Sequence, residues 1–248
     1  MTTTHLLLDI EGTTCPISFV SQILFPYANQ QLHAYLRSHQ HLNDIQLLIS
    51  EAWKEWQKDQ DEQSQNLLRQ SPSEEDDSDQ KAITTYLQHL IHIDKKSTVL
   101  KDLQGKIWKN GYNEGSITSD LYPEACAALK SWHHNGVQLA VYSSGSVNAQ
   151  QLLYEHTPQG DMRSIFCGWF DTRTGPKKEA QSYRIIAKKL AAMPEQITFI
   201  SDNQEECNAA RQAGLATLFS LREGNPDQDP GSHRVIQSLD EVVNMINR

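Results

Sequence analysis

Two carboxylates stand two residues apart near the start of the chain, directly after a short apolar run. Residues 6–8 are all leucine, Asp9 follows them, and Glu11 comes after one further residue. In an extended backbone, residues i and i+2 point to the same side, so Asp9 and Glu11 can face one small volume. Two carboxylates held this close repel each other unless a cation or a proton lies between them. Asp9 could therefore act as a covalent nucleophile toward phosphorus, beside a divalent cation that neutralises both carboxylate and phosphate.

An isolated Asp-x-Glu pair can also be a polar turn that ends a strand, so the pair needs support from its context. The leucines at 6–8 predict a strand that is buried on both faces, as in the centre of a parallel sheet. Asp9 then lies at the carboxyl end of that strand. Open α/β sheets bind their ligands at this edge.

The composition limits the kinds of partner that the chain can bind. Its 248 residues are enough for one large domain or for a core with a subdomain. The chain has 31 acidic and 22 basic side chains and a formal charge of -9, which argues against a nucleic-acid-binding surface. A phosphorylated substrate would have to be attracted locally, by a metal ion, a lysine or backbone amides.

The sequence also predicts a cytoplasmic protein. No apolar run approaches the roughly 20 residues that span a bilayer, and we expect no signal segment at the start of the chain. The four cysteines are scattered and form no Cys-x-x-Cys pair. This distribution is typical of reduced thiols and indicates neither a disulfide framework nor a zinc site.

Residues 16–115 have the apolar spacing of helices. The clearest helix runs through residues 45–56, with Asp44 as its expected N-cap. Residues 58–80 are polar and include an acidic run at 74–79, which predicts a solvated, mobile loop. We therefore predict an all-helical subdomain over 16–115 that contains this loop.

From residue 116 onward the pattern changes to alternating strands and helices. After the strand at 6–8, further strands are predicted at 137–142, 164–171, 197–200 and 215–221, with helices between them and a last helix at 239–246. Repeated strand–helix units imply an α/β fold, a parallel sheet with helices on both faces. Residues 1–15 and 116–248 would form this α/β core, and the helical subdomain would be inserted after its first strand.

Polar residues follow four of the predicted strands, at the edge that parallel strands share. These residues are Asp9 and Glu11, Ser143 and Ser144, Lys177, and Asp202. Taken singly, each has a simple explanation: a serine pair or Asp202 can cap the next helix, and Lys177 can be a solvated surface lysine. Taken together, they predict a site for an anion and a cation, because the helix after the serines presents N-terminal amides that favour an anion.

The order of these residues resembles the haloacid dehalogenase superfamily of phosphatases. Most members have Asp-x-Asp where this chain has Asp9 and Glu11, and the glutamate is similar to the enolase-phosphatase family of methionine salvage. Further stretches resemble that family: residues 8–14 (LDIEGTT), 23–27 (ILFPY), 103–105 (LQG), 142–147 (YSSGSV), 170–172 (FDT), 182–183 (SY) and 222–225 (REGN). The likeness covers nearly the whole chain and weakens only around residues 58–80.

The resemblance implies an activity, a cofactor and a domain role. The implied substrate is 2,3-diketo-5-methylthiopentyl-1-phosphate, which is first enolised and then dephosphorylated to the acireductone. The implied cofactor is Mg²⁺, and the helical insertion would be a cap. The resemblance favours a monomer that acts on a small-molecule substrate, and the composition predicts neither a nucleic-acid nor a membrane partner.

The resemblance also gives roles to individual residues. Asp9 matches the nucleophile, Ser143 and Ser144 the phosphate or substrate contacts, Lys177 the motif lysine, and Asp202 the acidic metal ligand. The oxygen-rich site suggests that Mg²⁺ is bound by the carboxylates of Asp9 and Asp202 and by the backbone carbonyl of Glu11. Our hypothesis makes Glu11 the general acid and then the general base. Two positions depart from the family: Pro176 stands where a histidine is frequent, and Glu223 replaces the proline of Arg-Pro-Gly-Asn.

The sequence leaves three alternative hypotheses for the function. The nearest is a phosphatase of the same superfamily that acts on another small phosphate ester. A dehalogenase is less compatible with a Mg²⁺ site at Asp202, and an inactive interaction module using the acidic run is less compatible with intact Asp9 and Lys177. The sequence also does not identify the base that performs the enolisation, for which Glu11 is one candidate. Phe19, Ile23 and Trp108 could line the methylthio tail or could be ordinary core residues.

Overall fold

A parallel β-sheet forms the centre of the α/β part of the chain in the computed structural model, which describes residues 3–71 and 79–242. Within these residues the sheet contains β1 (His5–Leu8), β2 (Gln138–Tyr142), β3 (Phe166–Phe170), β4 (Ile197–Ser201), β5 (Ala216–Ser220) and β6 (Arg234–Ile236). The strand order is β3-β2-β1-β4-β5-β6, and every neighbouring pair is parallel. The predicted α/β fold with a parallel sheet is confirmed. The short strand β6 was not predicted.

Strand β1 lies in the interior of the sheet, between β2 and β4. Leu6 is paired with Leu139 on one side and with Thr198 on the other, and the three leucines of β1 have no exposed surface. The chain adds β2 and β3 on one side of β1 and then β4, β5 and β6 on the other side. The direction of strand addition therefore reverses between β1 and β4, and open α/β sheets bind ligands beside such a switch point.

A second compact unit comprises residues 21–117 and is separate from the unit of residues 1–20 and 118–248. The sequence predicts these boundaries a few residues earlier, at 15 and 115. A π-helical segment, Phe19–Leu24, leads into α1, and Pro26 occupies the first turn of α1, where a proline is tolerated. The helices assigned to the described part of the second unit are α1 (Phe25–His39), α2 (Asn43–Lys58), α3 (Glu62–Gln70), α4 (Asp79–His92) and α5 (Thr98–Asn113).

Two local predictions for this helical unit are wrong. Residues 62–70 form α3 and not a loop, because Asp61 caps the helix by accepting a 2.8 Å hydrogen bond from the Ser64 amide. Asp44 lies in the first turn of α2 and is not its N-cap, and its carboxylate accepts a hydrogen bond from Lys106 Nζ at 2.6 Å. Of the predicted acidic run, residues 74–78 lie outside the described residues.

The helices of the α/β unit pack against the sheet. They are α6 (Ala125–His134), α7 (Val147–Glu155), α8 (Ala180–Lys189) and α9 (Gln204–Gln212). Leu7 belongs to a core shared with α8 and α9, and Leu6 and Leu8 are buried on the opposite face of the sheet. The predicted last helix is seen as a short 3₁₀ turn, Leu239–Val242, and the rest of that prediction lies outside the described residues. Across the ranges 3–71 and 79–242, no helix combines the length and the apolar character that a membrane span requires.

Candidate active site

A buried lysine joins two carboxylates at the carboxyl end of β1. Lys177 Nζ lies 2.8 Å from Asp9 Oδ1 and 2.7 Å from Glu206 Oε2. Asp9 is 5% exposed and Lys177 is 7% exposed. Lys177 is therefore not a solvated surface lysine, and the structure brings it to Asp9 as the sequence predicts.

The carboxylate of Asp9 is held at both of its oxygens. Oδ1 accepts a hydrogen bond from the Ile10 amide at 2.8 Å in addition to the contact with Lys177. Oδ2 lies 3.1 Å from Ser201 Oγ, and the same hydroxyl lies 3.0 Å from Glu206 Oε2. Ser201 has one proton for the two carboxylates, so it can donate to only one of them at a time.

Hydroxyl groups hold three successive carbonyls in the turn that carries Lys177. Tyr142 donates to the carbonyl of Gly175 at 2.8 Å, Ser182 to that of Pro176 at 2.7 Å, and Tyr183 to that of Lys177 at 2.6 Å. The three hydroxyl-bearing residues are all buried. Because the backbone is fixed at three consecutive positions, the Lys177 side chain starts from a defined point.

Asp202 follows β4 and lies against the loop that follows Asp9. A Cβ atom added to Gly12 would overlap with Asp202 Oδ2, so a larger residue would require Asp202 to move, and the φ of +68° at Gly12 also favours glycine. Asp202 is buried, and the N-cap of α9 is Asn203, which accepts a hydrogen bond from the Glu206 amide at 3.1 Å. The alternative that Asp202 is simply a helix cap is therefore wrong.

The buried carboxylates outnumber the single ammonium group in their midst. Burial, together with the negative charges of Asp9 and Glu206, raises the pKa of Asp202 to about 7. The pKa of Glu206 is also raised, by burial and by Asp9, although Lys177 opposes this. Burial would lower the pKa of Lys177, but Asp9 and Glu206 outweigh it and the net pKa is raised. Lys177 therefore keeps its positive charge, and the buried carboxyl groups of Asp9, Asp202 and Glu206 outnumber it.

This donor set fits a hard divalent cation. The available side-chain ligands are carboxylate oxygens, which Mg²⁺ prefers, and Mg²⁺ typically takes only one or two carboxylates and completes its shell with water and substrate phosphate. Among the described residues, no three His, Cys, Asp or Glu side chains form a metal-sized group. A cation here would accordingly need the two carboxylates of Asp9 and Asp202 together with backbone, substrate and water oxygens.

The remaining predicted site residues lie at the ends of β1 and β2. Ser143 is buried; its amide donates to the Phe170 carbonyl at 3.2 Å, and its Oγ accepts from the Gly145 amide at 3.2 Å. Ser144 is exposed. The N-cap of α7 is Ser146, so neither Ser143 nor Ser144 caps that helix. Glu11 is half-buried.

Glu206 and Ser201 were missed from the sequence. Glu206 lies four residues after Asp202, but Asp202 precedes α9, so this spacing carries no helical signal that could have pointed to Glu206. It lies in the first turn of α9, where an acidic residue is also explained by the helix dipole. Ser201 is the last residue of β4 and resembles any small polar residue at a strand end.

Comparison with known proteins agrees with this geometry. A family model of haloacid dehalogenase-like hydrolases matches residues 3–214. The chain is 54% identical over 242 residues to the Enolase-phosphatase E1 of Parasynechococcus marenigrum strain WH8102, with 98% of each chain covered. It is 52% identical over 238 residues to the Enolase-phosphatase E1 of Synechococcus sp. strain CC9605, covering 96% of this chain and 95% of that protein.

The chain belongs to the enolase-phosphatase family of haloacid dehalogenase-like hydrolases. The predicted family and the predicted enzyme class, a phosphatase among the hydrolases, are confirmed. A solved structure supports the fold of this enolase-phosphatase: the UTR4 protein of Saccharomyces cerevisiae is 32% identical, with a TM-score of 0.70 over 95% of this chain and 98% of that one. Enzymes of this kind generally depend on a divalent metal ion.

Proposed function

We propose that this enolase-phosphatase converts 2,3-diketo-5-methylthiopentyl-1-phosphate into the acireductone and phosphate in methionine salvage. The names and identities of the relatives support the substrate class. The observation that carries the chemistry is the buried contact of 2.8 Å between Lys177 and Asp9, with Asp202 directly after the neighbouring strand β4. A nucleophile, a cation and a metal-binding carboxylate are what phosphoryl transfer requires.

The phosphatase step begins with Asp9. Its carboxylate attacks phosphorus in line, the bond from phosphorus to the substrate oxygen breaks, and an aspartyl phosphate forms. Glu11 gives a proton to the departing oxygen and then takes one from the water that hydrolyses the aspartyl phosphate. Lys177 stabilises the charge on the equatorial oxygens, and Ser143 and Ser144 orient the phosphoryl group.

The proposed metal ion is Mg²⁺. It would be held by the carboxylates of Asp9 and Asp202 and by the backbone carbonyl of Glu11, and when bound it supplies positive charge that neutralises the phosphate oxygens. The excess of buried carboxylate described above supports this assignment.

Enolisation comes before phosphate loss. A proton is removed beside a carbonyl and the resulting enolate needs a positive partner, for which Lys177 is a candidate and Glu11 is a candidate base. We propose that the helical unit, residues 21–117, serves as the cap. Of the three apolar residues considered for the methylthio tail, Phe19 and Trp108 are buried and Ile23 is 49% exposed.

The experiment uses the purified protein with Mg²⁺, the diketo phosphate and a panel of sugar phosphates. We expect enolate absorbance followed by phosphate release from the diketo phosphate alone, and faster release from a sugar phosphate would overturn the substrate assignment. Asp9→Asn should abolish phosphate release because an amide cannot form an acyl phosphate. The matched control is Asp240→Asn, at an exposed carboxylate in the same unit. Phosphate release by Asp9→Asn at the control rate would refute the covalent route.

We further propose a cytoplasmic monomer. The four cysteines, which all lie among the described residues, are free thiols, as expected in a reducing compartment. Multi-angle light scattering of the purified protein would give the mass of one chain if the protein is a monomer, and twice that mass would reject the assignment.

A further inference from the structure

The end of β5 holds the loop that follows Asp9. Ser220 Oγ donates to the carbonyl of Gly12 at 2.9 Å, and Asn225 Nδ2 donates to the same carbonyl at 3.1 Å. Asn225 also donates to the carbonyl of Ser220 at 3.2 Å, which fixes its amide group in place. The Gly12 carbonyl therefore has both of its acceptor positions filled by residues that lie more than two hundred positions later in the chain.

Arg222 adds a third attachment to this loop. Its Nη2 lies 3.4 Å from the carbonyl of Thr13, and its Nη1 forms an ion pair with Glu124 at 2.7 Å. The guanidinium also stacks over the ring of Tyr122, with Cζ at 4.2 Å from the ring centroid. We call Ser220, Arg222 and Asn225 the β5 clamp.

The pattern of burial separates the clamp from its neighbours in sequence. Arg222 and Asn225 are buried, whereas the intervening Glu223 and Gly224 are exposed. Position 223 is where this chain has glutamate in place of the family's proline. Because that side chain faces solvent, the replacement leaves the buried contacts of the clamp intact.

The clamp also touches the proposed metal site. A Cβ atom on Gly12 would overlap with Asp202 Oδ2 and lie 2.8 Å from Asn225 Nδ2, so Gly12 is enclosed by the Asp202 carboxylate and by the clamp. The clamp holds the carbonyls of Gly12 and Thr13, and Gly12 directly follows Glu11. The backbone is therefore fixed immediately after Glu11.

We propose that the β5 clamp positions Glu11 and sets the distance between the Asp9 and Asp202 carboxylates, and that Asn225 and Arg222 are thereby positioning residues for the divalent cation. This inference rests on the proposed function, because it takes Asp9 and Asp202 to be the metal-binding carboxylates. Residues that orient metal ligands without touching the metal change its affinity by about 10- to 100-fold when they are removed.

The test measures Mn²⁺ binding to Asn225→Ala by the electron paramagnetic resonance signal of free Mn²⁺. The matched control is Asn208→Ala, a half-buried asparagine in the same unit whose Oδ1 lies near His233 and Arg211. We expect Asn225→Ala to bind Mn²⁺ about tenfold more weakly than the wild type and than the control, with the Mg²⁺ concentration for half-maximal phosphatase activity raised by a similar factor. Mn²⁺ affinity within twofold of the wild type in folded Asn225→Ala would overturn the proposal.

A second variant covers the case in which Asn225→Ala does not fold. Ser220→Ala removes the other donor to the Gly12 carbonyl and is expected to weaken Mn²⁺ binding about threefold; an unchanged affinity would again overturn the proposal. Mn²⁺ binding requires no substrate, so the two ideas can fail separately. Wild-type protein that binds Mn²⁺ but does not turn over the diketo phosphate counts against the proposed function, and normal Mn²⁺ binding by a clamp variant counts against the clamp.

Discussion

Replacing Tyr183 by phenylalanine tests whether the turn around Lys177 controls the rate. The substitution keeps the buried ring and removes one hydroxyl, whose hydrogen bond to the Lys177 carbonyl is 2.6 Å long. The carbonyls of Gly175 and Pro176 keep their donors, Tyr142 and Ser182, so the turn should loosen at one point and remain folded.

The size of both effects follows from this contact. A buried hydrogen bond contributes about 1 kcal/mol, and an unsatisfied buried carbonyl costs about 1–3 kcal/mol, so we expect a loss of about 2 kcal/mol in the free energy of unfolding. For a chain of this size that corresponds to a fall in Tm of about 4–8 °C. A misplacement of 1 Å in a catalytic group can cost about 100-fold in rate, and with two of three attachments intact we expect about a tenfold fall in kcat.

The assay combines urea unfolding with steady-state phosphate release at saturating Mg²⁺. The matched control is Tyr35→Phe in α1, a half-buried tyrosine whose ring stacks on His39 with centroids 4.1 Å apart. We expect Tyr35→Phe to keep the wild-type kcat. If Tyr183→Phe loses stability but keeps the wild-type kcat, the hydroxyl only stabilises the fold and the reasoning about Lys177 is refuted.

Three further predictions follow from the site and from the sheet. Gly12→Ala should lower the free energy of unfolding by at least about 1 kcal/mol, because φ is +68° and the new Cβ would meet Asp202; urea unfolding would measure this. Glu11→Gln should slow phosphate release about 100-fold through loss of the general acid, and unchanged enolate formation in the same variant would exclude Glu11 as the enolisation base. Burial lowers the pKa of His233 in the folded protein below the value of 6.5 in the unfolded chain. The contribution of His233 to stability is therefore full above pH 6.5 and is lost as the pH falls through the pKa of the folded state. Between pH 7.5 and pH 5 the unfolding free energy should therefore fall less in His233→Gln than in the wild type, whereas the exposed control His134→Gln should follow the wild type.

These three predictions can each fail on a separate measurement. Wild-type unfolding of Gly12→Ala would mean that the loop can move away from Asp202 without cost. Phosphate release by Glu11→Gln at the wild-type rate would remove Glu11 from the phosphatase step. Equal pH slopes for His233→Gln and the wild type would show that His233 is protonated equally in the folded and unfolded chains.

The sheet and part of the site could be predicted from the sequence because each core strand is an apolar run that ends in a polar residue. The run at residues 6–8 followed by Asp9 gives both the buried strand and its functional end. Strand β6 was not predicted because it has only three residues, one of them the exposed Arg234, and so short a strand shows no clear alternation of apolar and polar residues. Helix α3 was not predicted because its residues are mostly polar, and the N-cap Asp61 is the sequence feature that indicates it.

The partners of the predicted site residues could not be predicted, because sequence spacing does not report contacts between distant segments. Nothing near Lys177 in the chain indicates that its ammonium group would reach Glu206 as well as Asp9. In the same way, Asn225 lies in an exposed-looking turn, and its role depends on the Gly12 carbonyl, which only the fold brings to it. Residues suited to chemistry can be read from their types, whereas the residues that hold them require coordinates.

The interior place of β1 has a consequence for how the protein is made. Of the six described strands, β1 is synthesised first, and its Leu6 pairs with Leu139 and Thr198, so β1 has no sheet partner until β2 has been synthesised. Unpaired apolar strands of this kind associate with one another, and contacts between such distant residues form slowly. We therefore expect refolding yield to fall steeply with protein concentration, and a chain shortened at its start by residues 1–8 to lose the sheet altogether. A yield that is independent of concentration would show that the leucines are shielded before β2 and β4 arrive.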